Sequence, residues 1–374
     1  MKNEGTRVGI AGAGSIAFGT AALLAENGHD PMLWSPSGAG TKALATGVPL
    51  IAEGAIETEL SPRIAGSAAE LATDNDCLLI ALPAYGHKAV MDALAPHIRD
   101  GQPLIVSSHA SFGAVYLCQL LATRGVQAPI TAWGTTAVTG RRQSPSRVRV
   151  NTVRKLIDLC TVPQDHSEPA LALCQHLFGD RFQPRDGLLA ISLSNLNPQN
   201  HMGIALGNMT RMERGEDWSQ GQNVTPNVGR LLEALDAERL AIAEALGLKV
   251  RTIFEHFHLS FHVPVASISE MNQEMHAMGN GGTGPATADS RYVTEDVPYG
   301  LAPTAALGRM VDRPAHLHEA GIRIFSAMYG RDFEAENTLL DAIDLASHGL
   351  DDLKAAARTG LLKHPEAASA FADQ

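Results

Sequence analysis

The stretch ADSRYVTEDVPYGLAP, Ala288 to Pro303, sets Asp289, Arg291, Glu295 and Asp296 among Tyr292, Pro298 and Tyr299. A guanidinium is planar and grips a carboxylate through two parallel N–H bonds. Arg291 is therefore a candidate anchor for a substrate that carries a carboxylate, and the tyrosines and proline would stiffen the segment around it. Taken alone, the same residues also read as a surface loop laced with ion pairs, which would contribute little. A second residue able to do chemistry, His201, ends the run NPQNH. An imidazole titrates near neutral pH and suits proton transfer. Asn197 and Pro198 fit the N-cap and first position of a helix, which places His201 within its opening turns. Asn197, Asn200 and Thr294 are secondary substrate-binding candidates, with capping or turn roles as the ordinary explanation for each.

These residues need a scaffold, and the N-terminal third supplies the clearest one. RVGIAGAGSIAFGTAALLAENGHDPMLWS reads as strand, Gly-rich turn, helix and strand. Gly12, Gly14 and Ala17 form GxGxxA in the setting that gives that motif its meaning. Gly12 permits the tight turn, Gly14 lets the backbone approach a pyrophosphate, and Ala17 allows close packing of helix on strand. Ser15 and Ile16 open the helix, whose free N–H groups and positive dipole end attract phosphate. DCLLIALPAYGH, PLIVSSHAS and PITAWGTTAV continue as strands, with helices between them. RVRVNTVRKLIDLCTVP reads as one further strand and loop. The expected architecture is α/β, a doubly wound and mainly parallel sheet. Ligands bind such sheets beyond the carboxyl ends of the strands. That puts Leu82 and Pro83 at the cofactor, with His109 able to be catalytic but more simply a loop residue near the nicotinamide or on the surface.

The second strand's end speaks to cofactor choice. Sites for NAD place an acid there to hold the ribose 2′-OH. This chain has Ser35, followed by Ser37, Thr41 and Lys42. Hydroxyls and a lysine can receive a 2′-phosphate, and no carboxylate is present to repel one. The expectation is NADP(H) over NAD(H), against the plain alternative of a turn built on Pro36 and Gly38.

Length and composition bound the rest. The 374 residues suggest two domains, 1–182 and 183–374. A net charge of −11 argues against nucleic acid or an anionic membrane as the partner. Cys77, Cys118, Cys160 and Cys174 form no CxxC pair, so reduced thiols and a cytoplasmic setting are expected. No apolar run is long enough for a bilayer. The second half carries helical apolar spacing, and FEHFHLSFH, with His256, His258 and His262, fits a packed helix rather than a metal site. No metal is expected, and Met271, Met275 and Met278 read as core. The helical half is expected to complete the active site and to carry the interface of a homo-oligomer, a dimer.

The GxGxxA domain, NPQNH opening a helical domain, and DSRYVTEDVPYGL together resemble the opine dehydrogenases, the octopine/nopaline dehydrogenase family. The resemblance extends over the whole chain in layout and is most specific in RYVTEDVPYG. It implies reductive condensation of an amino acid with an α-keto acid, using NAD(P)H. It further implies a catalytic pair, His201 from the opening of the helical domain and Asp296 from TEDVP. The carboxylate would fix the imidazole tautomer and favour its cationic form, while the nearby helix N-terminus favours the neutral one. Two other readings compete: a 2-keto acid reductase of the ketopantoate reductase type, and an NADP(H)-binding sensor without turnover.

Overall fold

A computed structural model describes residues 5–362. Contacts divide the chain into two compact units. One runs through Ile191 and resumes at Ala342; the other spans Ser192–Asp341. A single boundary at residue 182 was expected; the chain instead leaves the first unit after Ile191 and re-enters it at Ala342.

Among the described residues the first unit contains strands β1 Arg7–Ala11, β2 Asp30–Trp34, β3 Leu50–Gly54, β4 Thr58–Leu60, β5 Arg63–Ile64, β6 Cys77–Ile80, β7 Leu104–Val106, β8 Ile130–Trp133, β9 Val138–Ser144, β10 Arg147–Val153, β11 Ile157–Val162 and β12 Phe182–Pro184. Eight of them form one sheet in the order β12-β11-β8-β7-β6-β1-β2-β5. Ile10 lies opposite Leu33 on one side and Leu79 on the other, both in parallel register. All neighbours are parallel except β8 and β11, so the sheet is mainly parallel. Its central strands are mainly apolar and buried, as expected of a parallel sheet covered on both faces; Ile10, Leu33, Leu79 and Ile105 are fully buried or nearly so. Each such side chain contributes about 1.5–3 kcal/mol.

The remaining four strands form a second sheet, β4-β3-β10-β9, which the local sequence pattern did not announce. RVRVNTVRKLIDLCTVP is two strands in two sheets, β10 and β11. The alternation in RVRVN buries Val148 and Val150 while Arg149 faces solvent, and the break at Pro145–Ser146 turns β9 back into β10.

The second unit is helical. Its main helices are Asn197–Glu213, Pro226–Ala245, Ile253–Phe261, Ile268–Ala277, Ala302–Met310 and His316–Tyr329. Thr252 with Glu255, and Ser267 with Glu270, close capping boxes at two helix starts. Leu196, not Asn197, occupies the N-cap of the helix that carries His201. The side chain of Asn195 takes the Asn197 N–H at 3.1 Å, so the cap lies upstream of the expected residue. Met271 and Met275 are buried, whereas Met278 is 50% exposed beyond the last full turn of its helix. His258 Nδ1 donates to the Val263 carbonyl at 2.8 Å, and His262 caps the helix end in a left-handed conformation. No group of three metal-binding side chains occurs among the described residues. No described helix is long and apolar enough to cross a membrane.

A buried polar cluster fixes the His201 helix to its neighbour. Asp236 Oδ1 accepts from Gln199 Nε2 at 2.8 Å and from Arg239 Nη2 at 2.7 Å, and Oδ2 accepts the Ile253 N–H at 2.8 Å. Arg239 also donates to the carbonyls of Leu193 and Arg251. The two charged side chains are each 2% exposed. Breaking one partner of such a pair leaves an uncompensated buried charge. Asp236→Ala is expected to lower unfolding stability by about 3–5 kcal/mol, read as a shifted midpoint in chemical denaturation; a loss below about 1 kcal/mol would show that the cluster does not hold this unit.

Candidate functional site

In the first unit, the turn after β1 has the geometry that a pyrophosphate needs. Gly12 has φ +144°, and a Cβ there would lie 2.2 Å from the Ala81 carbonyl oxygen. Only glycine fits on both counts. Gly14 is the N-cap of the helix Ser15–Glu26 and has no side chain to cap it. A Cβ at Gly14 would meet nothing within 4 Å, so the turn opens onto free space there. The first intrahelical bond runs from Phe18 N to Gly14 O, which leaves the N–H groups of Ser15, Ile16 and Ala17 for a ligand. Ala17 packs beneath, with its Cβ 3.2 Å from where a Gly12 Cβ would sit. This cradle fits the phosphates of a dinucleotide, whose nicotinamide would supply a hydride.

The loop after β2 holds Ser35 and Ser37 within 3.4 Å of each other through their hydroxyls. Thr41 is buried and Lys42 is exposed. Leu82 and Pro83 are half-buried at the carboxyl end of β6, and the Leu82 carbonyl accepts from His87 Nε2 at 3.0 Å. His109 was expected near the nicotinamide or at the surface. It is buried, its Nε2 accepts the Ala114 N–H at 3.2 Å, and burial pushes its pKa down to about 3. A neutral ring that caps the following helix is a structural part.

The chemistry-bearing residues of the second unit converge. His201 Nδ1 and an oxygen of the Asp296 carboxylate lie 2.7 Å apart, with the side chains 21% and 16% exposed. Asp296 sits where the short helix Arg291–Thr294 passes into a π-helical turn, Val297–Leu301. Such turns insert an extra residue and re-aim side chains, often at functional sites. Gly300 makes the approach possible: a Cβ there would lie 2.2 Å from Pro198 Cγ, on the first turn of the His201 helix. Asn337 Nδ2 donates to the Pro298 carbonyl at 2.7 Å, and the Tyr299 hydroxyl reaches the Glu336 carbonyl at 3.1 Å, so the turn is tied on its far side as well.

Tyr292 lies flat on His201, with ring centroids 3.6 Å apart and planes 9° from parallel. Its hydroxyl donates to Gln220 Oε1 at 2.5 Å. Burial, assisted by the nearby Asp296 carboxylate, pushes its pKa up to about 12, so the phenol stays protonated. The imidazole is therefore held at Nδ1 by a carboxylate and on one face by an aromatic ring. Nε2 is the ring nitrogen that the Asp296 carboxylate does not engage.

Arg291 is 63% exposed at the edge of this group and pairs through Nε with Glu295. Thr294 Oγ1 donates back to the Ser290 carbonyl at 3.1 Å, a local helix bond. Asn197 is exposed at the helix start, while Asn200 is buried and its side-chain oxygen has no hydrogen-bond partner among the described residues. Sequence reasoning missed the part played by Gly300, whose only signal was PYG after the acidic pair. It also missed Arg142 on β9, which bonds the Ala13 carbonyl of the Gly-rich turn at 2.8 Å. The alternation of RVRVN after a Pro–Ser turn was the available clue to that hairpin.

Comparison with known proteins agrees with this two-part layout. Residues 184–329 match the family described as NAD/NADP octopine/nopaline dehydrogenase, alpha-helical domain. Residues 8–157 match ketopantoate reductase PanE/ApbA. An opine dehydrogenase of Arthrobacter sp. (strain 1C) is 31% identical over 349 residues, 92% of this chain and 96% of that protein. Octopine dehydrogenase solved with NADH and L-arginine superposes with a TM-score of 0.79 at 16% identity, covering 96% of this chain and 99% of its own; its complex with NADH and pyruvate gives 0.76. Yersinopine dehydrogenase with NADP+ bound gives a TM-score of 0.66 at 16% identity, with 96% and 99% coverage. A relative this similar across nearly the full length, joined to the helical-domain match, makes the chain a member of the octopine/nopaline dehydrogenase family, NAD(P)-dependent opine dehydrogenases acting on CH–NH bonds.

Proposed function

We propose that this opine dehydrogenase reduces the imine formed between an amino acid and an α-keto acid, that His201 and Asp296 are its acid–base pair, and that NADPH is its preferred reductant. The observation that carries the reading is the 2.7 Å contact between His201 Nδ1 and the Asp296 carboxylate, beneath a stacked Tyr292. Structures of octopine dehydrogenase with L-arginine and with pyruvate, and of yersinopine dehydrogenase with NADP+, support the substrate and cofactor classes.

The amine nitrogen attacks the keto carbon, water leaves, and a C=N bond results. Reduction places a hydride on the carbon and a proton on the nitrogen. A nicotinamide, when bound, would supply the hydride. His201 supplies the proton from Nε2, and Asp296 fixes the tautomer at Nδ1 and stabilises the cation before transfer. Arg291 is the proposed anchor for a substrate carboxylate, with Asn197 and Thr294 at its margins. Gly12, Gly14, Ser15, Ile16 and Ala17 would hold the pyrophosphate, Ser35, Ser37 and Lys42 the 2′-phosphate, and Leu82 and Pro83 would line the dinucleotide's path.

The test is a matrix of amino acids against α-keto acids, with NADPH consumption and product mass as readouts. Turnover should need both partners. Oxidation of NADPH by a keto acid alone, with a hydroxy acid as the product, would establish instead the reductase activity that the match of residues 8–157 suggests.

Removing either member of the pair should lower kcat by roughly two to four powers of ten. The losses should not add, because an aspartate with no imidazole to orient has little left to contribute. His201→Ala with Asp296→Ala should be scarcely slower than His201→Ala alone, with dinucleotide binding intact in all three variants. Fully additive losses in single-turnover rates would mean that the two act independently.

Arg291→Lys keeps the charge but loses the planar fork. It should raise the KM of the carboxylate substrate by an amount equivalent to about 1.5–3 kcal/mol, leaving NADPH affinity unchanged. An unaltered KM for every active substrate removes Arg291 from the site.

Wild type should show a higher kcat/KM with NADPH than with NADH, and Ser35→Asp should turn that preference toward NADH by repelling the 2′-phosphate. A tenfold preference of wild type for NADH would refute this reading of the loop.

A further inference from the structure

The hairpin of the second sheet carries an arginine to the corner between the Gly-rich turn and the loop after β2. The face of β9 that holds Val138 packs on the first helix: a Cβ at Gly19 would sit 2.9 Å from Val138 Cγ2, so Gly19 keeps the strand close. Side chains alternate along a strand, so Arg142 shares the face of Val138 and Gly140. Its guanidinium lies 4.8 Å from the centre of the Phe18 ring, over the start of the helix.

There Arg142 spans both parts of the nucleotide site. Nη1 donates to the Ala13 carbonyl at 2.8 Å, between Gly12 and Gly14. Nη2 donates to the Gly40 carbonyl at 3.2 Å. Gly40 is itself against Ser35, whose hydroxyl is 3.2 Å from where a Gly40 Cβ would sit. Nε and Nη2 complete the set on the carbonyls of Ser144 and Pro145, at 3.0 Å each. These four bonds leave one of five guanidinium N–H groups unused.

Every partner is a neutral carbonyl. Arg7, Arg63, Arg147 and Arg239 are each paired with a carboxylate, but among the described residues Arg142 has none within ion-pair distance. The chain from Pro31 to Ala52 contains no Asp or Glu. A full positive charge is therefore fixed on the Gly40 carbonyl, next to the residue that touches Ser35, with no carboxylate among the described residues paired to it. A cofactor ribose with a free 2′-OH offers that charge no counterpart, whereas a 2′-phosphate does.

We propose that Arg142, delivered from outside the βαβ unit, is the cation that selects the 2′-phosphate of NADP(H), and that it fixes the loop after β2 to the pyrophosphate turn. The proposal rests on the NADPH reading above and names the residue that enforces it. The second sheet thereby acquires a function of its own, as the arm that places this charge.

The experiment measures dissociation constants of the full-length protein for NADPH and NADH by nicotinamide fluorescence, and displacement by 2′,5′-ADP against 5′-ADP. Wild type, Arg142→Lys, Arg142→Gln and Arg142→Met are compared, with ligand-free melting curves as the control for folding. Loss of one charge-assisted contact should weaken NADPH about ten- to a hundredfold in the Gln and Met variants. NADH should weaken less than about threefold, and the advantage of 2′,5′-ADP over 5′-ADP should fall in parallel. Lys should retain part of the preference, and it keeps the test open if the neutral variants do not fold. A wild type that favours NADPH, with variants that lose both cofactors equally or keep the same ratio, overturns the role of Arg142 alone. A wild type that binds NADPH no better than NADH overturns the cofactor reading and this inference with it.

Discussion

A carboxylate half-withdrawn from water beside an imidazole gives up hydration, and it holds one geometry only where the backbone on both sides is fixed. Asp296 and His201 are in that situation, and much of the second unit can be understood as what fixes them. The His201 helix is locked to its neighbour by Gln199, Asp236 and Arg239, a network with almost no access to water. The Asp296 turn is pressed onto that helix where Gly300 meets Pro198, and tied behind by Asn337 and Tyr299. Tyr292 closes one face of the imidazole and is anchored at Gln220. The pair thus rests on a frame of buried and half-buried groups, and Nε2 is the ring nitrogen that Asp296 does not engage.

The first unit solves the opposite problem, since it must leave polar groups unsatisfied where a ligand will satisfy them. Gly12 and Gly14 do this in different ways. Gly12 is required by the protein itself, because its φ and its closeness to Ala81 exclude any side chain. Gly14 faces open space, so its lack of a side chain leaves room for a ligand rather than for the protein. Arg142 gives the same corner a charge that no carboxylate among the described residues pairs with. An anion placed there would meet a helix dipole, free N–H groups and a fixed cation together.

The amino-acid sequence by itself determined what is local or carried by motif. The apolar strands, the GxGxxA turn and the helical second half follow from periodicity and from residues whose backbone preferences leave few options, and the family was legible in NPQNH and RYVTEDVPYG. The absence of an acid at Ser35 is likewise a fact of composition. Local errors came where neighbouring residues compete for one role: Asn195 rather than Asn197 serves the helix start, and Met278 falls just past the turn that buries Met271 and Met275.

The tertiary structure decided everything that depends on residues far apart in the chain. The β9–β10 hairpin belongs to a second sheet because β3 offers it an edge, a pairing no local pattern encodes. His109 is buried and neutral because a helix start and surrounding apolar groups enclose it. The chain re-enters the first unit at Ala342 through contacts with segments more than a hundred residues away. His201 and Asp296 could be named from their motifs, but the 2.7 Å between them, the ring stacked above, and the guanidinium of Arg142 on the Gly40 carbonyl exist only once packing has closed the loops. Side-chain proximity at long separation is set by summed burial and by where glycine permits backbones to touch, and neither quantity is a property of any short stretch of sequence.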